Sequence, residues 1–327
     1  MEKGRVCVTG GTGFFASWLI KRLLQDGYAV NTTIRPSSDR TKNLNYLTEL
    51  PGASERLRIF EADLDKPDSF DAAIQGCIGV FHVAHPTDLK GKETEETKIE
   101  RAVHGTIGIL QTCLNSKTVK RVVYTSSAST VDSHDKGLNI IDESKWSDVD
   151  CIRRSWGSSG IASYAITKTL TEKAVLEFAE KHGLDLVSII PTWIHGPFIC
   201  PFLPGSVSSS MAMIIGNQNE YEYRRRTAFV HTDDLARAHI FLFEYPEAKG
   251  RYICSAVEIT IDKLAECLSA RYPEYPIPTA DSLKEVTESK FGSLSSKKLL
   301  DTGFKFKYGI EDMYDAAIQC CKEKGFL

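Results

Sequence analysis

RVCVTGGTGFFA, residues 5–16, decides the architecture: a short apolar run stops at Gly10-Gly11-Thr12-Gly13 and opens into a helical pattern. Gly10, Gly13 and Ala16 stand at G-x-x-G-x-x-A spacing between strand and helix. Glycines there permit a tight turn and close approach of a pyrophosphate. The pyrophosphate then lies at a helix N-terminus, where free N–H groups and the helix dipole favour an anion. Such a turn is weak evidence alone. Here it follows the first strand, opens a helix, and precedes a second strand that ends about twenty residues later.

Working outward, the helix runs from about Phe14 to Gln25, with Trp18, Leu19, Leu23 and Leu24 apolar and Gly27 at its end. Further strands are expected at Tyr28–Arg35, Leu57–Phe60, Val80–Ala84, Arg121–Ser126 and Leu186–Ile190, with helices near residues 95–115 and from Ser163 to His182. Near-continuous apolar strands alternating with helices predict an α/β fold, a Rossmann-type doubly wound parallel sheet. A smaller C-terminal substrate lobe is expected over its carboxyl edge. Residues 1–191 would form the dinucleotide-binding Rossmann domain, with 229–248 returning to it, and 192–228 and 249–327 would be mainly lobe.

Composition narrows the function. With 42% hydrophobic and 25% charged residues a packed core is readily built, and a net charge of −3 gives no reason to expect nucleic acid or an anionic membrane. The N-terminus runs straight into a strand pattern, without the n- and h-regions of a signal peptide. Nine scattered cysteines form no CxxC pair, so reduced thiols and a cytoplasmic location are expected. Asn31-Thr32-Thr33 matches a glycosylation sequon but falls in mid-strand. No metal is expected, because the eight histidines show no ligand spacing. The one expected partner is a small-molecule substrate. Oligomeric state is left open, and a monomer is compatible with everything read here.

The second strand ends Thr33-Ile34-Arg35, with Arg40 and Lys42 nearby. An acidic residue there would select NAD by binding the ribose 2′-OH. A guanidinium suits a 2′-phosphate instead, so the expected cofactor is NADP(H). Tyr164 and Lys168, four apart in SYAITKTL, share one helix face. Free tyrosine has a pKa of about 10, and a nearby ammonium is expected to lower it toward a usable acid or base. Ser127 ends the fifth strand, where ligands of open α/β sheets gather, and its hydroxyl would bind the developing alkoxide. Y-x-x-x-K alone is common by chance. Its force lies in following, in order, the glycine turn and the Ser126-Ser127 strand end.

GRVCVTGGTGF, GYAVNTTIR, NSKTVKRVVYTSS, DESKWSDVD, RYPEYPI and EDMYDAAIQCCKEKGFL carry a resemblance over essentially the whole chain. The sequence resembles the plant dihydroflavonol-reductase-like branch of the extended short-chain dehydrogenases/reductases. The resemblance implies a Rossmann fold, NADPH, carbonyl reduction and a catalytic set on Ser127, Tyr164 and Lys168. It puts 2′-phosphate contacts on Arg35 and Lys42, the adenine contact on Asp63 and Leu64, and nicotinamide-side contacts on Val83, Ala84 and Pro191. The expected cofactor set is completed by Gly10, Thr12, Gly13, Phe14, Phe15, His85, Ser126, Tyr164 and Lys168. Three departures stand out. Ala16 replaces the third glycine, as in alkaloid-oxidising relatives. Asp132 stands where dihydroflavonol reductases carry an Asn that meets substrate hydroxyls. IASYAITK lacks the N-W-Y-C-Y run of cinnamoyl-CoA reductases.

His85, Asp132, His195, Phe198 and Phe202 are candidate substrate contacts, although His85 also reads as a solvated loop and His195 as packing. Phe198, Phe202, Met211, Met213 and Ile214 read equally as cavity lining or lobe core. His231 with Asp233-Asp234 reads as a helix start, and Arg224-Arg225-Arg226 as a solvated face. The function expected is NADPH-dependent reduction of a ketone on an aromatic polycyclic plant metabolite, isoflavanone- or flavonoid-like. The alternatives are NADP⁺-dependent oxidation of an alkaloid alcohol or hemiacetal, an epimerase or dehydratase using the cofactor transiently, and a catalytically silent NADP(H)-binding protein.

Overall fold

The apolar runs pair into one parallel sheet. The computed structural model describes residues 3–36, 43–86, 93–134, 138–157, 159–221, 226–283 and 292–327. Seven strands, β1 (Arg5–Val8), β2 (Ala29–Ile34), β3 (Leu57–Glu61), β4 (Gly79–His82), β5 (Arg121–Thr125), β6 (Leu186–Pro191) and β7 (Gly250–Cys254), stand in the order β7-β6-β5-β4-β1-β2-β3. Every adjacent pair is parallel.

Helices cover both faces, which is why the strands are apolar throughout. Val6 and Val8 belong to the hydrophobic cluster that holds α1 (Phe14–Gln25) and α4 (Thr232–Glu244). Cys7, between them, belongs to the opposite cluster with Ile109 and Leu110 of α2 (Glu95–Ser116) and Val175 of α3 (Gly160–His182). Thr94 caps α2 by accepting the Thr97 N–H, and Ser159 caps α3 by accepting the Ala162 N–H. Gly183, in the left-handed region at φ 65°, ends α3.

Strand order reverses between β1 and β4, and the carboxyl ends there form the crevice in which such sheets bind ligands. Thr9 closes its floor. Its hydroxyl accepts the Val83 and Ala84 N–H groups at 3.1 and 3.0 Å and lies 2.9 Å from His82 Nδ1. With both acceptor positions filled, the hydroxyl hydrogen goes to Nδ1, so His82 carries its own proton on Nε2, facing Thr106 Oγ1 at 3.3 Å. Burial and the Lys168 charge push the His82 pKa down to about 3, which keeps the ring neutral.

The return of the chain to the sheet differs from the expectation. Arg226–His231 pairs outside the main sheet, parallel to Trp193–His195 and antiparallel to Val257–Thr260. Within the 229–248 segment α4, together with Val230 and Ala248, packs into the core of the main layers, and the last sheet strand is Gly250–Cys254. A second hydrophobic cluster, with Phe198, Met211, Met213, Ile214, Leu264 and Tyr314, builds the lobe. Asn31 is buried, its amide donating to Ala73 O, so the sequon is inaccessible in the folded chain. All nine cysteines are free thiols.

Candidate active site

The glycine turn is shaped for a close ligand. Gly10 has φ 75°, and a Cβ there would lie 3.1 Å from the Ala84 Cβ; one on Gly13 would lie 3.2 Å from Gly10 O. Gly13 is the N-cap of α1, and no acidic residue stands in the first turn. The free first-turn N–H groups, Phe14 and Phe15 among them, therefore present a positive end to the crevice. The Phe14 and Phe15 rings are engaged elsewhere: Phe15 packs on His239 at 4.7 Å and Phe14 edges Phe198 at 6.4 Å. Thr12 is buried in the turn. The Gly11 N–H donates to Thr33 O at 2.8 Å and the Gly10 N–H to Thr33 Oγ1 at 3.2 Å. These bonds hold the end of β2 against the turn, and Arg35 follows it, exposed. Lys42 and Arg40 lie outside the described residues. Asp63 and Leu64 follow β3, where the Asp63 N–H donates to Ser69 Oγ. A turn in which a Cβ at Gly10 or Gly13 would crowd its neighbours, backed by a helix N-terminus without acids, fits a dinucleotide.

Ser127, Tyr164 and Lys168 converge at the carboxyl end of β5. The Ser127 hydroxyl accepts the Ser129 N–H at 3.3 Å and the Ser129 hydroxyl at 3.0 Å. Its own hydrogen is left for the Tyr164 phenol, to which it is hydrogen-bonded. Lys168, four residues on along α3 and buried, donates to Thr125 O at 2.9 Å. Burial lowers the Lys168 pKa to about 8, with Glu172 opposing the shift. Tyr164 departs from expectation: burial raises its pKa, and the Ser127 hydrogen bond is the opposing cause. The phenol is thus held protonated, as a proton donor requires.

His85 meets Tyr164 edge-on, with ring centroids 5.7 Å apart. Burial, Lys168 and His82 push its pKa well below the usual histidine value. His85, Pro86, Ser163, Tyr164 and Thr167 line a cleft together with Glu93, Lys98 and Arg101. Asp132 is half-buried, and burial raises its pKa to about 6 against the Ser133 hydroxyl, which donates to it at 3.1 Å. Val83 and Ala84 hold the crevice floor, and Pro191 ends β6. The Ser126 hydroxyl turns away from the crevice to donate to Glu172 at 2.7 Å.

The remaining candidates gather elsewhere. His195 is fully buried against Tyr314, at 4.5 Å between ring centroids, and Phe229, at 6.0 Å; burial lowers its pKa to about 3. Phe198 is part of the lobe core, and Phe202 packs partly buried against it. Phe198, Met211, Met213 and Ile214 are buried in the lobe core, and Met213 also lines a cleft there with Tyr221, Phe229 and Leu264. His231 accepts the Asp233 N–H and starts α4, as its sequence context suggests. Arg226 pairs with Glu258 at 2.6 Å, while Arg224 and Arg225 lie outside the described residues. Among the described residues no cluster of His, Cys, Asp and Glu could hold a metal, and no helix is long and apolar enough to cross a membrane. Sequence reading passed over Thr9, His82 and Glu172. For Glu172, four residues beyond Lys168, the helical spacing was the available signal.

Comparison with known proteins agrees with this geometry. Residues 6–254 match the model of the NAD dependent epimerase/dehydratase family. Vestitone reductase of Medicago sativa is 52% identical over 99% of both chains, and its crystal structure superposes with a TM-score of 0.90, covering 99% of this chain and 100% of that one. Noscapine synthase SDR1 of Papaver somniferum is 48% identical over 98% of this chain and 93% of its own. A dihydroflavonol 4-reductase of Callistephus chinensis is 47% identical over 98% and 87%. The yeast methylglyoxal/isovaleraldehyde reductase complexed with NADPH aligns at 25% identity and a TM-score of 0.80, over 99% and 100%. The chain belongs to the NAD dependent epimerase/dehydratase family, among its extended short-chain dehydrogenases/reductases, and is an NAD(P)-dependent oxidoreductase.

Proposed function

We propose that the chain reduces a ketone on a flat, aromatic polycyclic metabolite of the isoflavanone or flavonoid kind, using NADPH. The observation that carries this reading is the convergence of Ser127, Tyr164 and Lys168 at the carboxyl end of β5, beside a turn fitted to a dinucleotide. The lobe built on the second hydrophobic cluster is the part we assign to holding the substrate. When bound, the reduced nicotinamide supplies a hydride.

The chain's own residues do the rest. Ser127 donates a hydrogen bond to the ketone oxygen as negative charge grows on it. The Tyr164 phenol, kept protonated by burial, gives that oxygen its proton. Lys168 holds a positive charge beneath the phenol, which limits the cost of forming phenolate once the proton has left. Gly10, Gly13 and the first turn of α1 would hold the pyrophosphate, and Arg35 the 2′-phosphate. The test is an NADPH-consumption screen over aromatic ketones, isoflavanones, benzylisoquinoline alkaloids and UDP-sugars. Turnover of an aromatic ketone supports the reading, and turnover of UDP-sugars alone overturns it.

Cofactor choice is checked separately. Arg35→Asp replaces a guanidinium at the end of β2 with an anion that repels a 2′-phosphate. The NADPH KM should rise and the preference over NADH should narrow. Equal wild-type kcat/KM for the two cofactors would remove the phosphate role of Arg35.

Asp132 favours keeping a second reading, oxidation of an alkaloid alcohol. An ionised carboxylate only accepts hydrogen bonds and attracts a cationic amine; the protonated form can also donate, as Asn does. Since burial raises the Asp132 pKa to about 6, the ionised form dominates above that pH and is lost as pH falls through it. Asp132→Asn should therefore give, at pH 7.5, the substrate ranking that the wild type shows at pH 5. Relative kcat/KM values that move with neither pH nor the substitution would exclude Asp132 from the pocket.

A further inference from the structure

Below the reacting groups α3 carries one more charge in line. Tyr164, Lys168 and Glu172 are spaced by four residues, so their side chains stack along one helix face. Glu172 is completely buried. A buried carboxylate is costly unless each of its acceptor sites is filled, and here four donors fill them. Oε1 accepts from Ser188 Oγ and from Arg251 Nε at 3.1 Å. Oε2 accepts from Ser126 Oγ at 2.7 Å and from Arg251 Nη2 at 3.1 Å. Arg251, on β7, is itself enclosed. It donates to the backbone oxygens of Glu143 and Lys145 at 3.0 and 2.7 Å and to Thr130 Oγ1 at 3.0 Å, and lies over the Trp146 ring at 3.5 Å.

The buried array therefore holds two cations, Lys168 and Arg251, and one anion, Glu172. Without Glu172 the array would hold two buried positive charges and no anion. Ser126 precedes Ser127, so the bond from Ser126 to Glu172 also fixes the strand end that presents the Ser127 hydroxyl. We propose that Glu172 is a positioning residue for the reduction: its carboxylate, clamped by Arg251, is the counter-charge on which the Lys168 ammonium and the Ser127 strand end are seated. This rests on the reading of Tyr164 and Lys168 given above. It makes the edge strand β7, far from the crevice in sequence, part of the active-site scaffold.

The other groups facing this array are known. Lys168 is faced by Glu172 from its own helix, where Tyr164 stands one turn before it, by His82 and His85 from β4 and the segment after it, and by the Tyr124 ring of β5 at 5.4 Å. Glu172 also raises the Tyr124 pKa, and Lys298 and Glu143 lie on the far side of Arg251. The two histidines are held neutral by burial and both tyrosines are raised. Glu172 is thus the group whose charge holds Lys168 up against burial. With Lys168 at about 8, reduction should lose its ammonium-dependent rate on the basic side of the pH profile. Removing the anion should move that basic limb to lower pH.

The experiment follows the Lys168 titration in the protein without cofactor, by NMR of ¹³Cε-lysine assigned with Lys168→Arg. It is run beside the pH profile of kcat/KM for NADPH-dependent reduction. Glu172→Gln should lower the Lys168 midpoint and the basic limb together by about one unit, the low end of what a nearby opposite charge contributes. Arg251→Lys keeps both charges and loses the fork, so it should lower Tm and leave the limb in place. If Glu172→Gln does not fold, Glu172→Met with Arg251→Met removes the pair without stranding a charge. The folded double variant should still show a reduced kcat, because Ser126 has lost the acceptor that fixes the Ser127 strand end. An unmoved midpoint in folded Glu172→Gln, or wild-type kcat in either folded variant, would overturn the proposal and leave Glu172 a structural residue. Tyr164→Phe assayed alongside keeps the two claims apart. Full activity in that variant would refute the tyrosine reading, whatever the lysine titration does.

Discussion

Tyr164→Phe is expected to lower kcat by roughly 10²–10⁴-fold, the usual cost of losing a positioned general acid, while NADPH binding and folding survive. The substitution removes one hydroxyl and keeps the ring that meets His85 edge-on. The Ser127 hydroxyl loses one partner and keeps both bonds from Ser129. Nothing in the glycine turn changes, so cofactor fluorescence titration should return a near-wild-type Kd. An alkoxide formed without a proton donor is a high-energy product. Retention of more than about a tenth of wild-type kcat, above even the weakest effect in that range, would remove Tyr164 as the acid. The silent binding-protein reading would then return.

Lys168→Met should be nearly as damaging and should differ in kind, because cofactor affinity falls together with kcat. The ammonium is buried, is held by Thr125 O at 2.9 Å, and lies one helical turn from the phenol. Without it the departing proton leaves a phenolate with no cation beneath it. The cofactor also loses a donor from the crevice wall. The fold should tolerate the change, since the buried charges that remain, Glu172 and Arg251, balance one another. A kcat loss of about 10²-fold or more with a raised NADPH Kd is expected. Unchanged affinity and a kcat within about threefold of wild type, well short of a general-acid effect, would place Lys168 outside the reaction. Because the three side chains act as a unit, losses in combined Ser127, Tyr164 and Lys168 variants should fall well short of additivity.

The sheet was legible in the sequence because strands buried on both faces are written as unbroken apolar runs, as in Val6-Cys7-Val8 and Val122-Val123. Gly250–Cys254 escaped because Arg251 interrupts its apolar run. A buried arginine reads as a surface residue until its partner Glu172, on another element, is known. The return of 229–248 was readable, but the pairing of Arg226–His231 with Trp193–His195 is a long-range choice that local pattern does not encode. The site divides in the same way. Ser127, Tyr164, Lys168 and the glycine turn announce themselves through short spacings. The upward shift of Tyr164 depends on how deeply α3 is packed. The hydroxyl of Ser126 turns toward Glu172 because the carboxylate is there to receive it, which adjacency to Ser127 alone would not reveal. His195 and Phe198 read as either packing or pocket in the sequence, and folding buries both in the lobe.

The most direct measurement is the fate of the hydride. The protein is incubated with an isoflavanone or flavanone ketone and NADPH carrying deuterium at the nicotinamide C4, and the alcohol formed is examined by mass spectrometry. One deuterium at the carbinol carbon, with one NADPH oxidised per alcohol and the yield collapsing in Tyr164→Phe, is the expected result. A product without deuterium, or cofactor left unconsumed while substrate is converted, would contradict hydride reduction by this site.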